Sequence, residues 1–330
     1  MEHPKFSSQK QPLVKTAISL TKFPYFAAVA ALRPRQWTKN LVVFAAPLFA
    51  FSIHWQSFLG SLLAFILFCC ASSGFYLIND IADVESDRRH PVKCKRPIAA
   101  GLVSIPAALG MAVVLLSSAL LVGWLRSPAL GATLLGYAIL QVAYNLKLKH
   151  TLILDIVVIA TGFILRAYAG FATTGVPLSQ WFLLGIAMLA LFLAVEKRKA
   201  ELQLLAVRGG TTRVVLKRYS LPLLTRMEGV VTTGAVMSYA IWSSGPQVKG
   251  ATTPWMMLTL PFVLYGIFRY QLLSDSSERM HESDAVLYQG GNTEQPEEIL
   301  LTDWPILLTV VGWILTVSVI LWLKHQGIII

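Results

Sequence analysis

The chain has 330 residues, 55% of them hydrophobic and 14% charged, with 28 Lys and Arg against 17 Asp and Glu and a formal net charge of +11. A soluble protein carries nearer a quarter charged residues, so these totals exclude an ordinary water-soluble globule and point to a chain that lives in a bilayer. The positive excess then reads as cationic loops facing anionic lipid, not as a nucleic-acid surface, and no nucleic-acid partner is expected.

From Met1 to about Lys22 the sequence is polar and basic. No apolar stretch with a small-residue cleavage site follows directly, so no removable signal peptide is expected. Residues 1–30 read as a basic cytoplasmic segment and 31–330 as one transmembrane domain. A membrane span needs about 20 mostly apolar residues. Nine stretches qualify: 39–53, 55–78, 103–125, 128–145, 152–172, 179–195, 228–246, 252–273 and 304–323. The first is short and interrupted by Pro47, which predicts a tilt or kink. The expected fold is therefore all-α, a polytopic bundle of about nine transmembrane helices. Segment 208–222 is basic with interleaved Val and Leu and is expected to lie as an amphipathic helix on the inner leaflet. Segment 270–303 reads as a polar loop. Cys69, Cys70 and Cys94 show neither a disulfide framework nor metal-ligand spacing.

Placing the N-terminus in the cytoplasm and alternating the spans puts all but four of the 28 Lys and Arg (Arg126, Arg166, Lys249 and Lys324) on the inner side, and all 17 acids at or near the same face. That bias is what the positive-inside rule expects. It predicts a multi-pass protein of the cell inner (plasma) membrane whose chemistry faces the cytoplasm.

The second apolar run feeds directly into Asn79-Asp80-Ile-Ala-Asp83-Val-Glu85-Ser-Asp87-Arg88-Arg89. If the helix continues, Asn79, Asp83 and Asp87 repeat at i, i+4, i+8, and Asp80 lies three before Asp83, so all four share a face. Crowded carboxylates repel unless a cation sits among them. Mg²⁺ suits such oxygens and leaves positions open for substrate phosphates. Arg88, Arg89, Lys93, Lys95 and Arg96 follow, able to hold further phosphate charge. The plain alternative is a solvated loop of mixed charge. Later, Tyr144-Asn-Leu-Lys147-Leu-Lys149-His150 closes the fourth span, and Asp155, Gly162 and Arg166 fall on one stripe of the fifth. An acid and an arginine on one stripe of a membrane helix are expected to avoid lipid. Capping of the span by Asp155 and snorkelling of Arg166 to the outer interface are the bland alternatives.

The pattern NDxxDxxxD, followed by bases and Arg96-Pro-Ile-Ala-Ala-Gly101, resembles the first aspartate-rich motif of the UbiA superfamily of intramembrane transferases. Where that family commonly has a second motif, DxxxD, this chain reads Asp155-Ile-Val-Val-Ile159 after Lys147, Lys149 and His150: one acid fewer and more cations. Leu32-Arg-Pro-Arg-Gln-Trp-Thr-Lys39-Asn, Leu148-Lys-His-Thr-Leu-Ile-Leu-Asp155, Gly162-Phe-Ile-Leu-Arg166-Ala and Glu196-Lys197-Arg198-Lys-Ala-Glu-Leu resemble the decaprenyl-phosphate phosphoribosyltransferase branch of the superfamily, a likeness running from about residue 30 to the C-terminus.

The resemblance implies a glycosyltransferase that moves 5-phosphoribose from 5-phosphoribosyl 1-diphosphate (PRPP) to a polyprenyl phosphate in the bilayer, with Mg²⁺ as cofactor. It implies Asp80, Asp83, Asp87 and Asp155 as catalytic acids, with Asn79, Asp80, Asp83 and Asp87 as metal ligands. Asn79, Arg88, Arg89, Lys95, Arg96, Tyr144, Lys147, Lys149, Arg166, Lys197, Arg198 and Lys39 become candidates for substrate and phosphate binding. For Arg33, Arg35, Lys39 and the 197–199 cations, simple anchoring at the membrane face is the alternative. Two other readings stand beside it: a prenyltransferase moving an isoprenoid chain from its diphosphate to an aromatic acceptor, and a transporter with acids lining a path. A homo-oligomer is compatible with all three.

Overall fold

The computed structural model describes residues 24–49, 54–90, 92–176, 178–208, 214–276 and 302–329. Most of the basic N-terminal segment and most of the expected polar segment 270–303 (residues 277–301) lie outside the described residues. Among the described residues eleven α-helices follow in order: α1 Pro24–Ala31, α2 Ala45–Phe49, α3 Trp55–Ala82, α4 Val84–Arg89, α5 Ile105–Arg126, α6 Pro128–Leu146, α7 Leu154–Thr174, α8 Gln180–Arg208, α9 Leu221–Ser243, α10 Leu260–Ser276 and α11 Trp304–His325. The described residues contain no strand.

Local chemistry sets the helix ends. Ser127 caps α6, its hydroxyl accepting from the Leu130 amide at 3.1 Å, with Pro128 in the first turn. Gly175 ends α7 in the left-handed region at φ 69°, its amide donating to the Phe171 carbonyl at 2.8 Å. Asp303 caps α11 through the Ile306 amide at 3.0 Å and also accepts from Arg269 of α10 at 3.0 Å.

Among the described residues, seven helical segments are long and apolar enough to cross a membrane: 55–82, 105–126, 128–146, 154–174, 180–203, 254–274 and 304–325. Nine is thus not the count observed. In its described part, 39–49, the first expected span is a 3-10 run over Pro34–Phe44 followed by the five-residue α2; Pro47 lacks the amide a continuing helix requires. The expected span 228–246 exists as the 23-residue α9, which starts earlier and carries Arg226 and Glu228. Helix α8 runs well past residue 195, because no Gly or Pro interrupts it before Gly209 and its continuation is rich in Ala, Leu, Glu and Lys. The basic stretch 208–222 does not form an amphipathic helix in its described part. Val214–Arg218 is a 3-10 turn with Val215 and Leu216 buried, followed by the start of α9.

The chain packs as two units. The first is Met1–Pro34 with Ser73–Val114; the second is Arg35–Ser72 with Leu115–Ile330. In the second, Ile156, Phe192, Val195, Leu224, Val231, Ile267 and Ile306 form a core drawing on α7, α8, α9, α10 and α11. Helix α7 comes against the 34–44 run so closely that a Cβ on Gly170 would overlap the Val43 carbonyl oxygen, so only glycine fits there.

Candidate active site

In the first unit, the helix carrying the acids does not run unbroken. Helix α3 ends at Ala82, Asp83 stands in a turn (φ −94°, ψ 6°), and α4 resumes at Val84. The i−4 bonds nevertheless persist: the Asp83 amide donates to Asn79 O at 2.9 Å and the Asp87 amide to Asp83 O at 2.8 Å. The expected spacing therefore survives the break. Asn79 Nδ2 donates to Asp83 Oδ2 at 3.2 Å. Asp80 and Asp87 are 3% and 2% exposed, and a single guanidinium nitrogen, Nη1 of Arg96, reaches Asp80 Oδ1 at 3.0 Å and Asp87 Oδ2 at 2.5 Å. Arg33 adds a second donor to Asp80 Oδ1 at 2.5 Å and stacks over the Tyr76 ring at 4.9 Å. Arg33 stands at φ 55°, a conformation uncommon outside glycine. Among the described residues, no three Asp, Glu, His or Cys come together closely enough to hold an ion by themselves. Two of the expected metal ligands reach arginines instead. Buried carboxylates require cationic partners, and in the protein alone Arg33 and Arg96 supply them.

In the second unit, Asp155 lies in the first turn of α7 and is fully buried. Its Oδ2 accepts from Arg198 Nε at 2.8 Å, and its Oδ1 accepts from the Tyr219 hydroxyl at 2.8 Å. The Tyr219 oxygen in turn accepts from the Ile153 amide at 2.9 Å. Arg198 is 1% exposed and also donates to Glu201 at 2.6 Å, one helical turn on. Burial, with the negative Asp155 as its acceptor, pushes the Tyr219 hydroxyl above the usual tyrosine range, and the Ile153 amide only partly offsets this. Asp155 and Arg198 were expected to meet substrate; in the structure each is enclosed and spends its polar atoms on the other and on neighbours.

Arg166 does not snorkel. It is 6% exposed and donates to Asn40 Oδ1 at 2.7 Å, the Gly162 carbonyl at 2.8 Å and the Tyr137 hydroxyl at 3.2 Å. Its guanidinium also lies 4.9 Å from the Tyr137 ring centre. A Cβ on Gly162 would come within 3.2 Å of Arg166 Nη1, so the missing side chain makes room for the guanidinium. The stripe of Asp155, Gly162 and Arg166 is buried throughout, yet its two charges have separate partners. Beyond Arg198, Lys199 pairs with Glu228 at 2.9 Å, while Glu196, 1% exposed, is buried beside Ser274, Glu228 and Lys199.

The remaining expected binders are more accessible. Arg88, Arg89, Lys95 and Lys147 are exposed, whereas Lys39, Tyr144, Lys149 and Lys197 are half-buried. Arg88 bonds Glu85 at 3.2 Å, and Lys39 bonds Gln36 at 2.5 Å. Sequence reasoning missed three participants. Arg33 read only as a membrane-face anchor. Asn40 read as part of a span, although it holds Arg166. Tyr219 gave no local signal, since its contacts to Ile153 and Asp155 span 66 and 64 residues.

Comparison with known proteins places this geometry. The model of the UbiA prenyltransferase family matches residues 40–289. A protein of Mycolicibacterium smegmatis named decaprenyl-phosphate phosphoribosyltransferase is 37% identical over 303 residues, covering 88% of this chain and 91% of that one. One of the same name from Corynebacterium glutamicum is 36% identical, covering 87% and 84%. The solved structure of a UbiA homolog from Archaeoglobus fulgidus bound to GPP and Mg²⁺ superimposes with a TM-score of 0.62 at 17% identity, covering 89% of this chain and 98% of that one. A family match over most of its length, together with relatives aligned nearly end to end, makes this chain a member of the UbiA prenyltransferase family.

Proposed function

We propose that the protein is a decaprenyl-phosphate phosphoribosyltransferase: a multi-pass membrane glycosyltransferase that moves 5-phosphoribose from PRPP to a polyprenyl phosphate and releases diphosphate. The reading rests on the shared name of relatives that align over nearly the whole chain. One geometric observation supports it: a single cationic nitrogen bridges the buried carboxylates of Asp80 and Asp87 at the end of a membrane helix. The charge bias of the connecting segments supports a site on the cytoplasmic face of the inner (plasma) membrane.

The donor set has the chemistry a magnesium ion takes, although no three of its acids meet as they stand, so an ion there would displace Arg96 from the carboxylates it bridges. Its members are oxygen ligands of the kind a hard cation takes, and the Arg96 nitrogen already stands where a positive charge joins two of them. Asp80, Asp83, Asp87 and Asn79 would hold the ion. Bound there, magnesium would neutralise charge building on the departing diphosphate. The chain's own part is positioning and charge. Arg33 and Arg96 are the guanidiniums next to the acids, and a guanidinium matches phosphate oxygens through paired donors. Lys147, Lys149, Arg88, Arg89 and Lys95 are candidates for holding phosphate charge. In the reaction an oxygen of the acceptor phosphate bonds to the anomeric carbon, the bond from that carbon to the diphosphate oxygen breaks, and the electron pair leaves with diphosphate. A phosphate monoester is already ionised at neutral pH, so the attack needs no strong base, consistent with the lack of any His or Cys constellation in the sequence.

Incubation of the purified protein with polyprenyl phosphate and PRPP labelled in the ribose ring tests this. Label in the lipid phase is expected. An unlabelled lipid, with prenylation of an aromatic acid from an isoprenoid diphosphate, would instead establish the prenyltransferase reading.

A further inference from the structure

The turn that joins α6 to α7 carries Lys147, Lys149 and His150 and ends at Ile153, which stands at φ 71°. For a β-branched residue this region is a genuine outlier, kept only where surrounding structure over-determines it. Packing of its own side chain does not do so, since Ile153 is 49% exposed. The restraint is polar. The Ile153 amide donates to the Tyr219 oxygen at 2.9 Å, and the Tyr219 hydroxyl donates to Asp155 at 2.8 Å. Tyr219 is itself fixed: it is 5% exposed, it follows the buried Val215 and Leu216, and the Ser220 cap of α9 comes next. Behind it, Arg198 holds Asp155 at 2.8 Å. A chain of four residues from three segments thus ends on one strained backbone amide. The turn beyond that amide is short and self-bonded, with the His150 amide on Lys147 O at 3.0 Å and the Thr151 hydroxyl on the same oxygen at 3.3 Å. A change at Ile153 therefore moves Lys147 and Lys149 together.

We propose that Tyr219 is a positioning residue for phosphoribosyl transfer: clamped by Asp155, its hydroxyl holds Ile153 in the left-handed conformation and so fixes where Lys147 and Lys149 present their charge to the donor's phosphate. Asp155 and Arg198 then act through Tyr219, not on substrate. This rests on the reading of Lys147 and Lys149 as phosphate ligands.

Steady-state kinetics test it. Tyr219→Phe removes one oxygen and is expected to raise the KM for PRPP about tenfold, with the KM for polyprenyl phosphate within twofold of wild type. Adding Ile153→Gly to Tyr219→Phe is expected to recover at least threefold of that loss, because glycine adopts positive φ without strain; a tyrosine that only fills the core would show no such rescue. Should Tyr219→Phe fail to fold, Ile153→Pro removes the amide donor and the positive φ while leaving Tyr219 on Asp155, and is expected to raise the same KM. An unchanged PRPP KM in the foldable variant overturns the proposal. Lys147→Ala with Lys149→Ala separates the two layers. If that pair raises the PRPP KM and the Tyr219 variant does not, the positioning role alone falls; if the lysine pair has no effect, the phosphate reading falls and the proposal with it.

Discussion

Removing Arg96 is the most informative single perturbation of the acid cluster. Its Nη1 joins Asp80 and Asp87, both almost fully buried, and Asp80 keeps Arg33 while Asp87 loses its recorded ionic partner. Deleting one side of a buried pair costs about 3–5 kcal/mol. Arg96 is 26% exposed, so water screens part of the interaction, and the lower end, about 3 kcal/mol, is the better figure. For a chain of this size that corresponds to a fall of roughly 4 °C in Tm. Arg96→Gln should be followed by thermal unfolding in detergent, with and without magnesium chloride. A divalent ion bound among the same carboxylates replaces the lost charge, and at a hundredfold excess over its Kd it returns about 2.7 kcal/mol. Magnesium should therefore raise the Tm of Arg96→Gln several degrees more than that of wild type. A variant that melts within about 1 °C of wild type would refute the bridging argument, and equal magnesium shifts would refute the link to a metal.

Four further outcomes follow. Asp83 is half-buried and bonds Asn79, so Asp83→Asn should abolish turnover while Tm stays within about 2 °C; near-normal turnover would remove Asp83 from metal binding. Arg166→Met removes the donor that Arg166 gives to Asn40 Oδ1 and to the Tyr137 hydroxyl in the core and should cost about 1–3 kcal/mol by thermal melting, with no recovery in Arg166→Lys because an ammonium lacks the planar fork. Glu196→Gln should leave stability unchanged or raise it, since it removes one of two carboxylates, Glu196 and Glu228, buried side by side; a marked fall in Tm would contradict this. The raised Tyr219 hydroxyl binds its proton more tightly in the folded state. Its contribution to stability is thus complete below about pH 10, the ordinary tyrosine value, and declines as pH rises above it. The stability advantage of wild type over Tyr219→Phe should hold up to about pH 10 and shrink progressively as pH rises above it.

Much of the fold was legible because lipid imposes a simple rule: long apolar runs become helices. The runs beginning at Trp55, Ile105, Pro128, Leu154 and Trp304 were each located within a few residues of their helices. The 39–53 run misled because apolar composition does not distinguish a span from a 3-10 segment packed against Gly170. The spacing of the acids was legible and its i−4 bonds survive the break at Asp83, but the break itself and the arginines that meet Asp80 and Asp87 were not. What charge counting could not reveal is where each cation goes. Arg198, read as a phosphate ligand, turns inward to Asp155, while Arg33, read as an anchor, turns to Asp80. Those choices depend on segments that meet only after folding, and local sequence carries no record of them.

The central claim is that the Asp80–Asp87 acids bind the diphosphate of PRPP through a divalent cation. Calorimetric titration of PRPP into the purified protein tests it most directly, comparing magnesium with a chelator and wild type with Asp80→Asn and Asp87→Asn. The account predicts binding in magnesium that disappears with the chelator and falls at least tenfold in either variant. PRPP binding of equal strength in all four samples would contradict it.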